Sequence, residues 1–354
     1  MKNTYRVALA THPLCLAHDP GIGQPENPFR LQAILHALSS SGYTYEQSDV
    51  ALALDSIQQT HSATYLRRIE KARGKNMVLD ALKETYTSAP SIDAAYMAAS
   101  IGCSVVERVL KGEIDRGFAL LRPPGHHACV HKAMGYCIIN NVAVAITHAK
   151  KHGAKKIAIL DFDVHHGNGT QDIINGDPAC LHIDFHQKEL FPEYGGSIED
   201  VGGAPAKGHL VNIELPAGCA GTEYARLMKE IVVPTLESFQ PDIILVSAGY
   251  DAHEYDGLSA IQLSHIDYYN MVSDVCRVAQ TYCNGRVVCF LEGGYSVAAL
   301  QSSVLATVAA LCGKKCPNIP KYPPRSYKIV GFEKIMQKLK KQKELYWGKK
   351  KRAK

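Results

Sequence analysis

The sequence predicts a single α/β domain built on a mostly parallel central sheet with helices on both faces. Continuous apolar, β-prone runs recur at 5–11, 117–121, 157–164, 180–185, 210–215, 243–247 and 287–291. Helical patterns separate them at 29–38, 92–110, 141–152, 222–237, 266–282 and 297–311. Strands that are apolar on both sides and alternate with helices belong to parallel sheets covered on both faces. In addition, four of these strands run straight into polar clusters, and open α/β sheets gather ligands at the carboxyl edges of their strands.

The first run, 5–11, reads as a strand, because its apolar stretch is too short for a signal peptide. The run 117–121 leads into Arg122-Pro123-Pro124-Gly125-His126-His127, and 243–246 into Ser247-Ala248-Gly249-Tyr250-Asp251. The run 287–290 leads into Leu291-Glu292-Gly293-Gly294-Tyr295. The most informative run is 157–164, which enters Asp161-Phe162-Asp163-Val164-His165-His166. Burying such groups unpaired costs several kcal/mol each, on the order of 2–7, and a metal ion satisfies them. In this strand side chains alternate faces, so Asp163 and His165 point the same way and Val164 the other, an oxygen–nitrogen half-site for a metal. These four edges are predicted to converge on one site.

The domain is expected over residues 1–325. Residues 316–325 hold four prolines and cannot be regular structure. The remaining 326–354 form a basic C-terminal tail whose segment 332–346 has the pattern of an amphipathic helix. The net charge of +5 belongs to this tail: residues 334–354 carry ten Lys/Arg and one Glu, leaving −4 for the rest. A solvated terminus, a nuclear-localisation-like cluster at 349–354 and a nucleic-acid or nucleosome contact are all compatible with that composition. No apolar run approaches the roughly 18–20 residues that span a bilayer, so no membrane partner is expected and the location reads as cytoplasmic or nuclear. Eleven scattered cysteines without paired zinc-ribbon spacing read as reduced core thiols. The sequon Asn168-Gly169-Thr170 reads as accidental beside a candidate metal site.

The segments RPPGHHA (122–128), GYCIINNVAVA (135–145), DFDVHHGNGTQ (161–171), SAGYDAH (247–253) and LEGGY (291–295) occur in that order. Together they resemble the motif series of the zinc-dependent histone deacetylases. Asn168 and the SAGYDA form are closer to the class II branch, which includes acetylpolyamine amidohydrolases. Gln24-Pro25-Glu26-Asn27-Pro28-Phe29-Arg30 also fits, with Gln where His is common. The resemblance covers about residues 5–312 and implies the arginase/deacetylase-like α/β plan.

It also implies roles. Asp163, His165 and Asp251 would be metal ligands; three protein ligands with an open fourth position mark a catalytic zinc. Two carboxylates and one imidazole also make Fe2+ a plausible occupant in cells. His127 would be the general base and then the general acid, with His126 beside it stabilising charge. Asp161 would hold His126 and Asn168 would hold His127; Asn brings no negative charge, which keeps the His127 pKa lower. Tyr295 would donate to the oxyanion. Gly135, Tyr136 and Phe191 match the channel walls around a lysine stem, with Tyr136 in place of the more usual Phe. Leu258 stands seven residues after Asp251, where polyamine-selective members place Glu, so its neutrality favours acetyl-lysine in protein. Asp161, Asp163 and Asp184 would help bind a monovalent cation such as K+.

The function implied is removal of acetyl groups from lysine ε-amines of proteins, histones among the candidate partners. An acetylpolyamine amidohydrolase is the nearest alternative, and a catalytically silent acyl-lysine-binding module a further one. Arginase-like manganese hydrolases need a second metal and more aspartates than these segments offer. The chain has no GxSxG elbow, P-loop, GxGxxG or HExxH.

Overall fold

The computed structural model describes residues 5–48, 50–319 and 329–348. Its centre is an eight-stranded sheet of β1 (Val7–Thr11), β2 (Glu46–Gln47), β3 (Arg116–Ala119), β4 (Ile157–Asp161), β5 (Cys180–Gln187), β6 (Leu210–Leu215), β7 (Ile243–Ala248) and β8 (Val287–Leu291). The strand order is β2-β1-β3-β8-β7-β4-β5-β6, and every neighbouring pair is parallel. The predicted α/β architecture with a parallel central sheet is therefore present. β4, β7 and β8 are buried along their whole length, as strands must be when helices cover both faces. Helices Ser91–Leu110 and Asn141–Lys151 pack together on the sheet. Helices His265–Tyr282 and Val297–Leu311 form a second packed pair, joined by Pro28–Ser40. The four strands whose edges carry polar clusters, β3, β8, β7 and β4, are consecutive in the sheet, which brings their carboxyl ends to one place.

The structure corrects the expected strand over 157–164. β4 stops at Asp161, and 162–167 is irregular. Strand alternation therefore does not align Asp163 with His165. A local turn does so, in which Asp163 Oδ1 accepts from His165 N at 3.0 Å and Asp161 Oδ1 accepts from Asp163 N at 3.1 Å. These carboxylates satisfy backbone donors that a continuing ladder would have paired.

The helix expected over 222–237 is interrupted. Gly221–Leu227 passes into a π-turn, Met228–Val232, and resumes as Val233–Phe239. Pro234 is the cause: it has no N–H to give the Glu230 carbonyl four residues back, and its ring crowds that turn. The freed Glu230 carbonyl accepts from Lys343 Nζ at 2.9 Å. Lys343 lies on the helix Phe332–Trp347, which packs on this broken helix and on β6. Phe332, Met336 and Leu339 are buried there. Trp347 Nε1 donates to Gly208 O at 2.9 Å and Gln342 Nε2 to Ile198 O at 2.6 Å. The lysine cluster at 349–354 and most of the proline-rich segment lie outside the described residues.

The eleven cysteines are free thiols, nine of them buried. Among the described residues no helix is long and apolar enough to cross a membrane.

Candidate active site

Asp163 sits two residues beyond β4 and Asp251 three beyond β7, the neighbouring strand. Their aim is fixed by backbone donors. Asp163 Oδ2 accepts from Gly293 N at 2.8 Å, and Asp251 Oδ1 accepts from Val164 N at 2.9 Å. The glycines of SAGYDA and LEGGY make this approach possible. A Cβ on Gly249 would overlap Asp163 Oδ2, and one on Gly293 would overlap Asp251 Oδ2. Both carboxylates are buried, at 1% and 0% exposure.

His165 Nδ1 lies 3.1 Å from Asp163 Oδ1 and 3.0 Å from Asp251 Oδ2, and the three side chains form a group able to hold a metal ion. A tetrahedral ion with ligands at about 2.0–2.1 Å needs ligand atoms about 3.3 Å apart, so the spacing fits. The electrostatics agree. Burial opposes a charge on His165, yet Asp251 and Asp163 hold its pKa up at about 10, so this point demands positive charge. Burial, followed by the charge of Asp163, raises Asp251 to about 6. A divalent cation meets that demand without protons.

The His126-His127 pair comes off the loop that follows β3. Glu292 Oε2 accepts from Gly125 N at 2.7 Å and from His126 N at 3.1 Å, fixing the loop's path. His126 Nδ1 donates to Asp161 Oδ2 at 3.0 Å, and His127 Nδ1 donates to Asn168 Oδ1 at 2.7 Å. The two imidazoles then diverge. Burial would lower His126, but Asp161 and Asp163 hold it well above the usual histidine range. Burial, with His126 and His165 as positive neighbours, pushes His127 well below that range. Two adjacent groups with opposed proton affinities are the signature of divided acid–base roles. Asn168 is buried in this network, which leaves no access for a glycan at the sequon.

A cavity of about 170 Å³ opens onto this centre, lined by Glu84, His127, Gly135, Tyr136, His165, Phe191, Leu258 and Tyr295. Phe191 packs edge-on against His127 at 5.0 Å between ring centroids, and Tyr136 against Tyr295 at 5.9 Å. Gly135 has φ +52°, and a Cβ there would stand 2.5 Å from His127 Cδ2 and 2.7 Å from Phe191 Cε1. Tyr295 is set by its backbone: Asp256 Oδ2 accepts from Tyr295 N at 2.6 Å and Ser296 N at 3.0 Å. Burial, then the charge of Asp251, raises the phenol well above its ordinary range, so it keeps its proton.

Asp184 pairs in register with Asp161 across β4 and β5. It accepts from His166 Nδ1 at 3.1 Å, His186 Nδ1 at 2.6 Å and Gly167 N at 2.8 Å. Despite burial, those histidines hold it well below the carboxylate range. All the residues singled out from sequence thus fall in one region.

Sequence reasoning assigned no role to Glu26, Arg30, Asp256, Glu292 or Glu84. Arg30 donates to Gly294 O and Glu292 O, each at 2.6 Å, and stacks 5.0 Å over the Tyr295 ring. Glu26 is fully buried between Arg30 and Arg122. The i,i+4 spacing of Glu26 and Arg30 was a readable signal; Glu84 and Asp256 sit in loops that carried none.

Fold and site together define a parallel α/β protein with a carboxylate–imidazole centre at the carboxyl edge of its sheet. Residues 24–311 match the histone deacetylase domain model. The chain is 37% identical over 310 residues to histone deacetylase 14, chloroplastic, of Arabidopsis thaliana, covering 82% of this chain and 73% of that one. It is 35% identical over 293 residues to the histone deacetylase-like amidohydrolase of Pseudomonas aeruginosa, covering 82% and 76%. It is 34% identical over 308 residues to a probable deacetylase of Archaeoglobus fulgidus, covering 85% of each. The crystal structure of the HDA15 HD domain superposes with a TM-score of 0.86 at 28% identity, covering 97% of this chain and 95% of that one. This chain belongs to the histone deacetylase family.

Proposed function

We propose that the protein hydrolyses the acetyl amide on lysine ε-amines of proteins, with histones among the candidate substrates. The observation that carries this reading is the narrow cavity itself. Tyr136, Phe191 and Leu258 line it, and His127, His165 and Tyr295 border the same space. Aromatic and aliphatic walls suit a four-methylene stem, and the polar groups meet the amide it carries.

Asp163, His165 and Asp251 would hold zinc, with Fe2+ the alternative occupant in cells. When bound, the ion supplies Lewis-acid polarisation of the amide carbonyl and of the attacking water. The remaining work falls to the chain. Asn168 accepts the Nδ1 proton of His127, which leaves Nε2 as a bare acceptor. His127 Nε2 takes a proton from the attacking water and returns it to the leaving amine. His126, held through Nδ1 by Asp161, stabilises the negative charge that develops. Tyr295 retains its proton and donates to the oxyanion, a contact worth about 2.7–4 kcal/mol of barrier. A K+ ion near Asp161, Asp163 and Asp184 would buffer the same carboxylate cluster.

A second reading has one observation in its favour. Glu84 lines the cavity, and an acidic group there would attract the second ammonium of an acetylpolyamine. Neutral Leu258 on the same lining opposes it. Acetate release from an acetyl-lysine peptide and from acetylputrescine, measured side by side, tests the choice. The peptide is expected to be the better substrate by kcat/KM; a large preference for the polyamine overturns the reading. Tyr295→Phe and His127→Ala are expected to abolish turnover with metal content retained. Unchanged turnover in both would refute the mechanism.

A further inference from the structure

At the end of helix Asn141–Lys151 away from the active site, Glu107, His148 and His152 form another group whose ligand atoms all lie within 4.8 Å of one another, apart from those around Asp163 and Asp184. His148 stands in the last turn of that helix and His152 caps it. Glu107 comes from the neighbouring helix Ser91–Leu110. The proposed catalytic centre uses none of the three. The bland account is a surface ion pair at a helix C-terminus, where cations are favoured.

The hydrogen bonds argue for more. His152 Nδ1 lies 3.0 Å from His148 O. A carbonyl only accepts, so this nitrogen carries the hydrogen and the neutral ring presents a bare Nε2 lone pair. That Nε2 stands 3.6 Å from Glu107 Oε1, another acceptor. His148 Nδ1 lies 3.3 Å from Oγ of the buried Ser56, and its Nε2 is 3.1 Å from Glu107 Oε2. His152 is oriented through Nδ1 by the carbonyl of its own helix; His148 Nε2 donates to Glu107 Oε2, and moving that hydrogen to Nδ1, where the Ser56 hydroxyl can accept it, would free Nε2 beside the same carboxylate. Metal-ligating histidines are held in this way. The rings lie 4.3 Å apart between centroids, too close for two imidazolium ions without cost.

We propose that Glu107, His148 and His152 bind a second divalent transition-metal ion of the zinc class, with water at the open position, clipping helix Ser91–Leu110 to helix Asn141–Lys151. Two imidazoles and a carboxylate form a recognised three-ligand set for zinc. Lys111, which pairs with Glu107 Oε1 at 2.5 Å, must yield that oxygen, and Lys151 is already paired with Asp55. The remaining positive charge makes the site weaker than the buried centre and occupied at higher free zinc.

Equilibrium dialysis of the full chain against micromolar zinc, read by elemental analysis, tests this independently of turnover. Wild type is expected to hold two equivalents, and His148→Gln/His152→Gln one, with deacetylation unchanged. His165→Ala is expected to lose the other equivalent and keep this one. As a second readout, Co2+ added after the buried centre is filled is expected to give a visible d–d spectrum in wild type and none in the double variant. Equal zinc content in wild type and the double variant, or one equivalent in wild type at every zinc concentration, overturns the proposal and leaves a proton as the sole occupant of the cluster.

Discussion

Replacing Asn168 by Asp places a full negative charge where His127 now meets a neutral amide. The Nδ1···Oδ1 separation is 2.7 Å, so the carboxylate charge would centre about 4 Å from the imidazolium charge. At an effective dielectric near 20 that is worth about 4 kcal/mol, or about 3 pKa units. Part is lost, because the new carboxylate is buried and resists ionisation in turn. A rise of about 1–3 units is the working range. The sign follows from the proposed role. His127 must be neutral to accept a proton, and its pKa now lies well below the usual value; a cation at Asp163, His165 and Asp251 pushes it the same way. Raising that pKa extends the protonated form upward in pH. The acid limb of kcat/KM should therefore move to higher pH by about 1–3 units, with the plateau above it retained. The assay is a pH–rate profile on an acetyl-lysine peptide, with metal content measured on each preparation. An acid limb that stays in place while the variant is folded and fully loaded would refute the assignment of His127 as base.

Gly135→Ala puts a methyl group against His127 and Phe191 at a positive φ; a shift of about 1 Å in the base is expected to lower kcat/KM about 100-fold, with metal content unchanged. Glu26→Gln leaves Arg30 and Arg122 buried without their counter-charge, a loss of about 3–5 kcal/mol. With about 2.1 cal/mol/K of unfolding entropy per residue over 354 residues, calorimetry should show a midpoint lower by about 4–7 °C; a change under 1 °C contradicts the network. Although burial opposes it, the arginines hold the Glu26 carboxyl well below its ordinary range. Its stabilisation is thus complete above about pH 4.3 and disappears as pH falls through the depressed value, so the variant should lose less stability in acid than wild type. Leu258→Glu at the cavity rim should raise the acetylputrescine-to-peptide ratio of kcat/KM about fivefold, the effect of a partly screened charge pair of about 1 kcal/mol; an unmoved ratio would remove Leu258 from substrate choice.

The seven longer strands were legible because a strand buried on both faces is mostly apolar, as β4, β7 and β8 are apart from Asp161 and Ser247 near their carboxyl ends. The strand ends were not. Nothing in the composition of 157–164 marks Asp161 as the last ladder residue, because the signal that stops the strand is a carboxylate turning back to its own backbone. The two-residue strand Glu46–Gln47 and the short helices Leu54–Thr60 and Ala63–Glu70 are too brief to establish a period. The location of the site was readable from polar groups at apolar strand ends, since no core tolerates them without a partner. Its scaffolding was less so. Glu292 was quoted within a motif without a role, and its burial between the loop amides of Gly125 and His126 is a long-range fact that neighbouring residues do not encode.

The C-terminal helix shows how far local pattern can mislead about purpose. Its lysines read from sequence as a charge run. Three of them act within the globule: Lys338 pairs with Glu199, Lys340 with Glu230, and Lys343 caps the Glu230 carbonyl. That last contact exists because Pro234 removes the donor the carbonyl would otherwise have used. A proline in one helix thus creates the acceptor that a lysine 109 positions later in the chain satisfies. Truncation before Phe332 would expose that carbonyl, the apolar face under Met336 and Leu339, and the partner of Trp347 together. The helix therefore belongs to the stability of the β6 edge, whatever contacts the residues beyond it make.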